Sequence, residues 1–189
     1  MFRNVIRQAI RPSYAILMYD KRKVIFMISN QSQRGQMKEK SREVLSEYFQ
    51  SKSIEYSEFT DSEAEDYMER WFNEFVPVEI QKECRKICFS DGEYNNYLWH
   101  IFSYEKVECL EKDDAIDRYE GIKKDRCVIF LDLEGICFEV KDIDLMDIDF
   151  INTVPDIYIT DYDFRWCYIY THESDCCGLG PYFYQKQTW

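Results

Sequence analysis

Residues 126–140 read RCVIFLDLEGICFEV, and this stretch decides the fold class. Two runs rich in β-branched and aromatic residues, 126–133 and 136–140, flank the pair Glu134-Gly135. A glycine in a two-residue loop is typical of a β-hairpin, because the tight turn requires positive φ angles. The pattern therefore predicts an antiparallel hairpin closed by Glu134 and Gly135.

Helical patterns dominate the chain before this hairpin. Apolar residues recur at helical spacing in three stretches, which are residues 37–51, 78–88 and 110–119. Thr60 and Glu63 resemble a capping box, because the threonine hydroxyl can accept the amide hydrogen of residue 63 while the glutamate reaches back. The box predicts the start of a further helix, and Asp91 predicts the start of a shorter one.

Strand patterns dominate the chain after the hairpin. A helix is predicted over residues 142–151. Aromatic segments that predict strands follow at residues 156–160, 164–171 and 181–185. We therefore predict an α+β fold in which N-terminal helices pack on a mainly antiparallel C-terminal sheet.

The net charge is distributed unevenly along the chain. The total is −12, but residues 1–40 hold nine Lys and Arg against two acidic residues, a net +7, which leaves −19 for the rest. Such an acidic body repels nucleic-acid phosphates and attracts basic partners, although an acidic surface also serves solubility alone. We predict no nucleic-acid binding.

The basic segment is expected to form an extension before a single domain. Residues 2–10 place apolar side chains on one side of a helix and arginines on the other. Apolar runs on both sides of residues 20–23 predict a hairpin, and residues 31–35 predict a linker. We expect an extension over residues 1–37, with this helix and hairpin, and one α+β domain over residues 38–189.

Length and composition bound the class of protein. The 189 residues, 46% of them hydrophobic, suffice for one sizeable core. The apolar run at residues 15–19 is short and ends in charged residues before any cleavage site, so no secretory signal is indicated. No stretch approaches membrane-spanning length. We expect a cytoplasmic protein without a transmembrane segment, whose eight cysteines stay in the thiol state.

Both histidines lie in aromatic-rich blocks. Residues 97–105 read YLWHIFSYE and residues 166–173 read WCYIYTHE. If the blocks pack together, both imidazoles and a carboxylate share one cleft, where an imidazole can act as a general base. The candidate catalytic residues are His100, His172, Glu173 and Ser103. We commit none of them to catalysis, because a histidine among aromatic residues is commonly packed and hydrogen-bonded in a core.

Metal and cofactor sites are not predicted. Cys176 and Cys177 follow His172 by four and five residues, and these three are weak candidates for zinc ligands. Their spacing is not that of a zinc finger, and buried cysteines commonly act as small hydrophobes. The adjacent thiols are the part that could respond to oxidation. No Gly-rich phosphate-binding motif for ATP, GTP or a dinucleotide is indicated, and we predict no cofactor.

The C-terminal strands suggest an aromatic surface. Alternation along these strands predicts that their tyrosines share one face of the sheet. Exposed aromatic rings make good protein contacts, whereas the alternative is a helix that covers the face. The predicted binding residues are Trp166, Tyr168, Tyr170, Tyr182 and Tyr184.

Five separated segments resemble a family of small bacterial proteins known as a domain of unknown function. They read LWHIFSY, DIYI, FRWCY, THE and GPYFY, at residues 98–104, 156–159, 164–168, 171–173 and 180–184. The resemblance extends from about residue 38 to residue 186 and implies a single cytoplasmic domain without a stated activity, cofactor or partner. The motif residues that it marks are His100, Ser103, Thr171, His172, Glu173 and Gly180. The basic extension and the run Asp175-Cys176-Cys177 depart from the family pattern.

Two hypotheses for function follow. The first is a non-enzymatic, acidic, cytoplasmic protein-binding module that masks a basic protein partner, as an immunity or antitoxin-like protein masks a toxin. The second is a small enzyme that uses His100, His172 and Glu173. The sequence indicates no particular oligomeric state.

Overall fold

The computed structural model describes residues 31–89 and 97–186. The chain divides into two compact units, Met1–Met37 and Lys38–Trp189. The helix and hairpin predicted within residues 1–30, and the helix predicted from Asp91, lie outside the described residues. Within those residues, no helix combines the length and the apolar character needed to cross a bilayer.

Helices occupy the first part of the described chain and recur between the strands. In chain order they are α1 (Gln31–Ser51), α2 (Asp61–Phe75), α3 (Val78–Cys88), α4 (His100–Ser103), α5 (Lys112–Gly121), α6 (Ile148–Ile151) and α7 (Ser174–Cys177). The linker predicted at residues 31–35 is wrong, because α1 begins at Gln31. A single helical glycine, here Gly35, costs only about 1 kcal/mol.

One helix prediction is confirmed and another is wrong. The capping box is confirmed, since Thr60 Oγ1 accepts from the amide of Glu63 and Glu63 Oε2 accepts from the amide of Thr60. The single helix predicted over residues 142–151 is wrong. Asp142 adopts a left-handed conformation and Met146 an extended one, so the segment is a 3-10 turn (Ile143–Leu145) followed by α6.

Seven strands form one antiparallel sheet, so the α+β prediction is confirmed. In chain order they are β1 (Tyr56–Glu58), β2 (Leu110–Glu111), β3 (Arg126–Leu131), β4 (Ile136–Lys141), β5 (Ile157–Asp161), β6 (Trp166–Tyr170) and β7 (Tyr182–Gln185). Their order across the sheet is β1-β4-β3-β5-β6-β7-β2. The helix predicted over residues 110–119 therefore starts late, because its first two residues pair with β7.

The hairpin predicted at residues 126–140 is present, but its turn is longer than expected. Leu131 pairs with Ile136, which leaves residues 132–135 in the loop instead of Glu134-Gly135 alone. Gly135 has a φ of 60°, as the turn requires. The longer loop carries Asp132 and Glu134 away from the ladder and toward the candidate site.

Both faces of the sheet are covered. Consecutive residues of β3 point to opposite faces, so that Ile129 belongs to one core and Phe130 to another. The first core includes Leu45 and Phe49 of α1 and Tyr119 of α5. The second core includes apolar residues of α2, α3 and α4. A two-sided core explains why the central strands are apolar on both faces.

Candidate functional site

The site forms where β5 begins and β6 ends. Antiparallel pairing of Ile157 with Tyr170 brings Asp156, just before β5, close to His172, just after β6. His172 Nδ1 lies 2.9 Å from Asp156 Oδ1 and 3.0 Å from Oδ2, and the amide of His172 donates to Oδ1 at 3.1 Å. The carboxylate therefore holds both the main chain and the ring of this histidine.

The other ring nitrogen of His172 points toward a second carboxylate. Nε2 lies 3.7 Å from Glu173 Oε1, and each side chain is about one-third exposed. Burial alone would lower the pKa of His172, but the hydrogen bond and charge of Asp156, together with the charge of Glu173, raise it above the ordinary value. Because Asp156 accepts at Nδ1, Nε2 is the position at which the ring exchanges protons with the surroundings.

An aromatic pair, Tyr97 and Trp99, connects the two histidine-containing blocks. The Trp99 ring centroid lies 4.1 Å from that of His100 and 5.9 Å from that of His172. Tyr97 lies 5.1 Å from the His172 ring and 5.9 Å from the His100 ring. Trp99 Nε1 also donates to Asp156 Oδ1 at 3.1 Å. The structure thus brings the two blocks together, with the aromatic pair in contact with both imidazoles.

His100 and Ser103 share one turn of α4. His100 Nδ1 is 3.2 Å from Ser103 Oγ, and the ring of His100 stacks on Tyr104 with centroids 5.2 Å apart. His100 is buried, with 8% of its surface exposed. Ser103 therefore contacts His100 rather than the more exposed His172, and the proposed group of catalytic candidates falls into two parts.

Asp132 anchors the first block to the sheet. Its Oδ2 accepts from the amide of Leu98 at 2.8 Å and from the hydroxyl of Tyr158 at 2.7 Å. The same hydroxyl accepts from the amide of Trp99 at 2.9 Å. Burial raises the pKa of Asp132 to about 8, the charge of Asp156 adds to the shift, and the hydrogen bonds oppose it. A proton is therefore exchanged here close to neutral pH.

Glu134, from the same hairpin loop, has a carboxylate without a cationic partner among the described residues. Burial, followed by the charge of Asp156, raises the pKa of Glu134 to about 7. In the part of the chain that the structure describes, no other side chain forms a hydrogen bond or ion pair with it. The pKa of Tyr97 is raised by burial first and then by the charges of Asp156, Asp132, Glu134 and Glu173. We call these four carboxyl groups, whose charges all act on Tyr97, the carboxylate cluster.

The carboxylate cluster lacks the lysine and arginine partners that some of the other acidic residues in the described chain have. Across residues 31–89 and 97–186, no lysine or arginine forms a salt bridge with any of its members, and His172 is the basic group that contacts two of them, Asp156 and Glu173. Many other acidic residues are paired with lysine or arginine; the pairs include Lys38–Asp61, Arg42–Glu58, Lys52–Asp147, Arg85–Glu69, Lys106–Glu83, Lys124–Asp144, Arg126–Glu139, Arg165–Asp161 and Lys186–Glu74. Those carboxyl groups of the cluster that are ionised therefore have no lysine or arginine partner within the described residues.

The prediction that the tyrosines of β6 and β7 share one face of the sheet is wrong. The β6–β7 register pairs Tyr168 with Phe183 and Ile169 with Tyr182, so the tyrosines of the two strands point to opposite faces. Trp166, Tyr168 and Tyr170 belong to the first core, whereas Tyr182 and Tyr184 pack with the second. The predicted residues other than Tyr184 are buried, and Tyr184 is half-buried. These rings build the interior instead of an exposed patch.

Thr171 and Gly180 shape the loop that carries His172. Thr171 Oγ1 donates to the carbonyl of Leu179 at 2.5 Å and lies 3.1 Å from Ser174 Oγ. Gly180 has a φ of 103°, and a Cβ atom there would lie 3.0 Å from Ser174 Oγ and 3.2 Å from Tyr182 Cε2. Only glycine fits this close approach, so these motif residues position His172 instead of contacting its ring.

The weak metal candidates do not converge. Cys176 Sγ donates to the main-chain carbonyl of His172 at 3.6 Å, not to its ring. Among the described residues, no group of three or more His, Cys, Asp and Glu side chains is arranged to hold a metal ion. The adjacent thiols of Cys176 and Cys177 lie 3.3 Å apart and are exposed.

Sequence reasoning missed Asp132, Glu134 and Asp156. Asp156 carries a weak signal, since it leads a strand and directly precedes an apolar run. Asp132 and Glu134 look like ordinary turn residues, and their roles depend on the four-residue loop that the sequence did not predict.

The comparisons with known proteins agree with the resemblance noted in the sequence. The family model described as "Domain of unknown function (DUF4275)" matches residues 43–183. No curated protein and no solved structure matches the chain. The function must therefore be argued from the site itself.

Proposed function

We propose that this chain, which belongs to the DUF4275 family of unknown function, is an acidic protein-binding module that receives a cationic side chain of a basic partner at the carboxylate cluster. The observation that carries the proposal is the poor compensation of charge there. Lysine and arginine pair with many other acids, yet those in the described part of the chain form no salt bridge with Asp132, Glu134, Asp156 or Glu173. An arginine or lysine of a partner would supply the missing charge.

The aromatic surroundings suit the same ligand. The charges of the four carboxyl groups act on Tyr97, whose ring lies 5.1 Å from that of His172. A cation close to an aromatic ring gains about 0.5–2 kcal/mol from the ring quadrupole, more when the pair is partly desolvated. A planar guanidinium also matches carboxylates with two parallel hydrogen bonds. We therefore favour arginine over lysine as the side chain that is bound.

The charge of the whole chain supports a basic partner. Outside the first 40 residues the net charge is −19, and such a field accelerates the encounter with a positively charged protein. We therefore favour an immunity or antitoxin-like role, in which the negatively charged module attracts and masks a basic toxin. The buried tyrosines play no part in it.

The test uses single cationic groups before any partner is identified. Acetyl-arginine amide, acetyl-lysine amide and the uncharged isostere acetyl-citrulline amide are titrated into the full chain, and the NMR signals of the Trp99 indole and the His172 ring are followed. We expect saturable shifts with the arginine compound, weaker ones with lysine and none with citrulline. Equal shifts with citrulline would mean that the site does not recognise charge.

Matched variants distinguish binding at the carboxylate cluster from a general effect of the negative charge of the chain. At pH 8, where Glu134 with its pKa of about 7 is mostly ionised, Glu134→Gln removes one charge from the cluster, and Glu47→Gln removes one from an exposed position on α1. We expect the first change to weaken binding of acetyl-arginine amide by about tenfold, or about 1.4 kcal/mol, and the second to leave it within about twofold. Equal losses in both variants would refute a specific site.

A second candidate function is acid–base catalysis, and the Asp156–His172 contact favours it. A carboxylate that fixes Nδ1 leaves Nε2 as the general base, with Glu173 3.7 Å away. Turnover of a panel of activated esters and amides should then fall by at least about a hundredfold in His172→Gln and follow a pH profile set by His172. Activity that is unchanged in this variant would reject the enzyme hypothesis.

A further inference from the structure

We propose that Cys176 and Cys177 form an oxidation site, at which a hydroperoxide converts the two adjacent thiols into a disulfide. Both residues are exposed on α7, and their Sγ atoms lie 3.3 Å apart. Neighbouring side chains on a helix usually diverge by about 100°. The close approach of these two sulfur atoms is therefore a particular feature of this turn.

The other cysteines are poor competitors for an oxidant. Five of the remaining six are buried, and Cys109 is partly buried. Burial raises the pKa of Cys88 and of Cys109 to about 12 and also raises the pKa of Cys84. Since the thiolate is the reactive form, these groups are both shielded and protonated. An oxidant in solution therefore reacts with the exposed Cys176 and Cys177 before the other cysteines.

The chemistry needs a hydroperoxide as the two-electron oxidant. The thiolate of one cysteine attacks the peroxide O–O bond, which forms a sulfenic acid and releases an alcohol, or water when the oxidant is hydrogen peroxide. The second thiol then attacks that sulfenic sulfur, the S–S bond forms, and water leaves. Both sulfur atoms are oxidised by one electron each, and the peroxide takes up both electrons.

The resulting bond is expected to be reversible. The Cα atoms of adjacent residues are about 3.8 Å apart across a trans peptide, which is shorter than the roughly 4.4–6.8 Å usual for a disulfide. A strained and exposed disulfide is readily reduced by small dithiols. The site is therefore suited to a reversible modification.

Oxidation is also expected to change the hydrogen bonds around His172. The Cys176 thiol donates to the carbonyl of His172 at 3.6 Å, and the amide of Cys177 donates to the carbonyl of Glu173 at 2.9 Å. Ring closure removes the first donor and distorts the turn that makes the second contact. The ring of His172 and the carboxylate of Glu173 should shift relative to each other.

The experiment treats the full chain with one equivalent of hydrogen peroxide and follows the intact mass, the mapped peptides and the NMR signal of His172. Wild type and the matched control Cys109→Ser should lose two hydrogen atoms, with the link mapped to Cys176–Cys177. Dithiothreitol should restore them, and the His172 signal should move and return. Cys176→Ser and Cys177→Ser should not lose two hydrogen atoms within one chain.

Three results would overturn the proposal. One is oxygen gain in wild type without the loss of two hydrogen atoms. Another is a disulfide mapped to other cysteines, and the third is an unchanged mass under conditions that oxidise a short Cys-Cys peptide. A mapped disulfide that leaves the His172 signal in place would reject the coupling between the thiols and the site.

Discussion

Asp156 accepts two hydrogen bonds from His172, one from its ring Nδ1 at 2.9 Å and one from its amide at 3.1 Å. This contact joins the start of β5 to the loop after β6, and Trp99 Nε1 donates to the same oxygen. One carboxylate therefore fixes the orientation of the imidazole and ties three segments of the chain together.

Asp156→Asn should lower the pKa of His172, because the variant removes the negative charge that raises it. It should also destabilise the fold by about 1–3 kcal/mol, since charged hydrogen bonds in a partly buried setting are lost. A proton NMR titration, with the two histidines assigned by substitution, and urea unfolding provide the measurements. Asp149→Asn, which removes a charge from an exposed position, should change neither quantity.

The stability of wild type should fall as the pH rises toward and above neutrality. Glu134 has a folded-state pKa of about 7 against an ordinary value of 4.5, and the pKa of Asp132 is also raised. A raised pKa means that the folded state binds the proton more tightly. The contribution of protonated Glu134 to the free energy of unfolding is fully present below about pH 4.5 and is lost as the pH rises through about 7.

Glu134→Gln should remove part of this pH dependence. The free energy of unfolding at pH 8 should increase by about 1–3 kcal/mol, whereas at pH 4 it should change little. Urea unfolding at a series of pH values provides the measurement, with Glu47→Gln as the control. A variant curve parallel to that of wild type would contradict the assignment of this titration to Glu134.

Tyr158→Phe should be strongly destabilising despite the small change in volume. The hydroxyl donates to Asp132 and accepts from the amide of Trp99, and both groups lose a partner in a buried setting. Each loss costs about 1–3 kcal/mol, so we expect a total of about 2–6 kcal/mol in urea unfolding. Tyr104→Phe, at an exposed position, should cost less than about 0.5 kcal/mol.

Gly180→Ala should destabilise the loop that carries His172. The φ of 103° is unfavourable for alanine, and the new methyl group would meet Ser174 Oγ and Tyr182 Cε2. Strain of this kind costs about 1–3 kcal/mol before the close contacts are added. Thermal unfolding should show the loss, whereas Gly121→Ala, where a Cβ meets nothing within 4 Å, should not.

The sequence predicts local structure where one segment contains all of the determinants. The capping box at Thr60 and Glu63 depends on residues three apart, and the hairpin depends on two neighbouring runs rich in β-branched and aromatic residues. Both are present in the structure. The left-handed Asp142 and the start of α1 at Gln31 depend on more than local periodicity, and the predictions there were wrong.

The site was predictable only in part, because its members meet through the register of the sheet. The approach of Tyr97 and Trp99 to both histidines follows from the aromatic character of the two blocks. The contact between Asp156 and His172 requires the β5–β6 register. The contact of Asp132 with Leu98 and Tyr158 requires a four-residue turn. A one-residue difference in register also explains why the tyrosines of β6 and β7 do not share a face.

The hydrogen bond from the Trp99 indole to Asp156 gives the protein an intrinsic optical reporter. An indole whose N–H is held by a carboxylate, with an ionisable imidazole close to its ring, emits light in a way that depends on the charge next to it. Comparison with a Trp99→Phe chain would isolate this emission from that of the other tryptophans. The protonation state of the site could then be followed in dilute solution without any added dye.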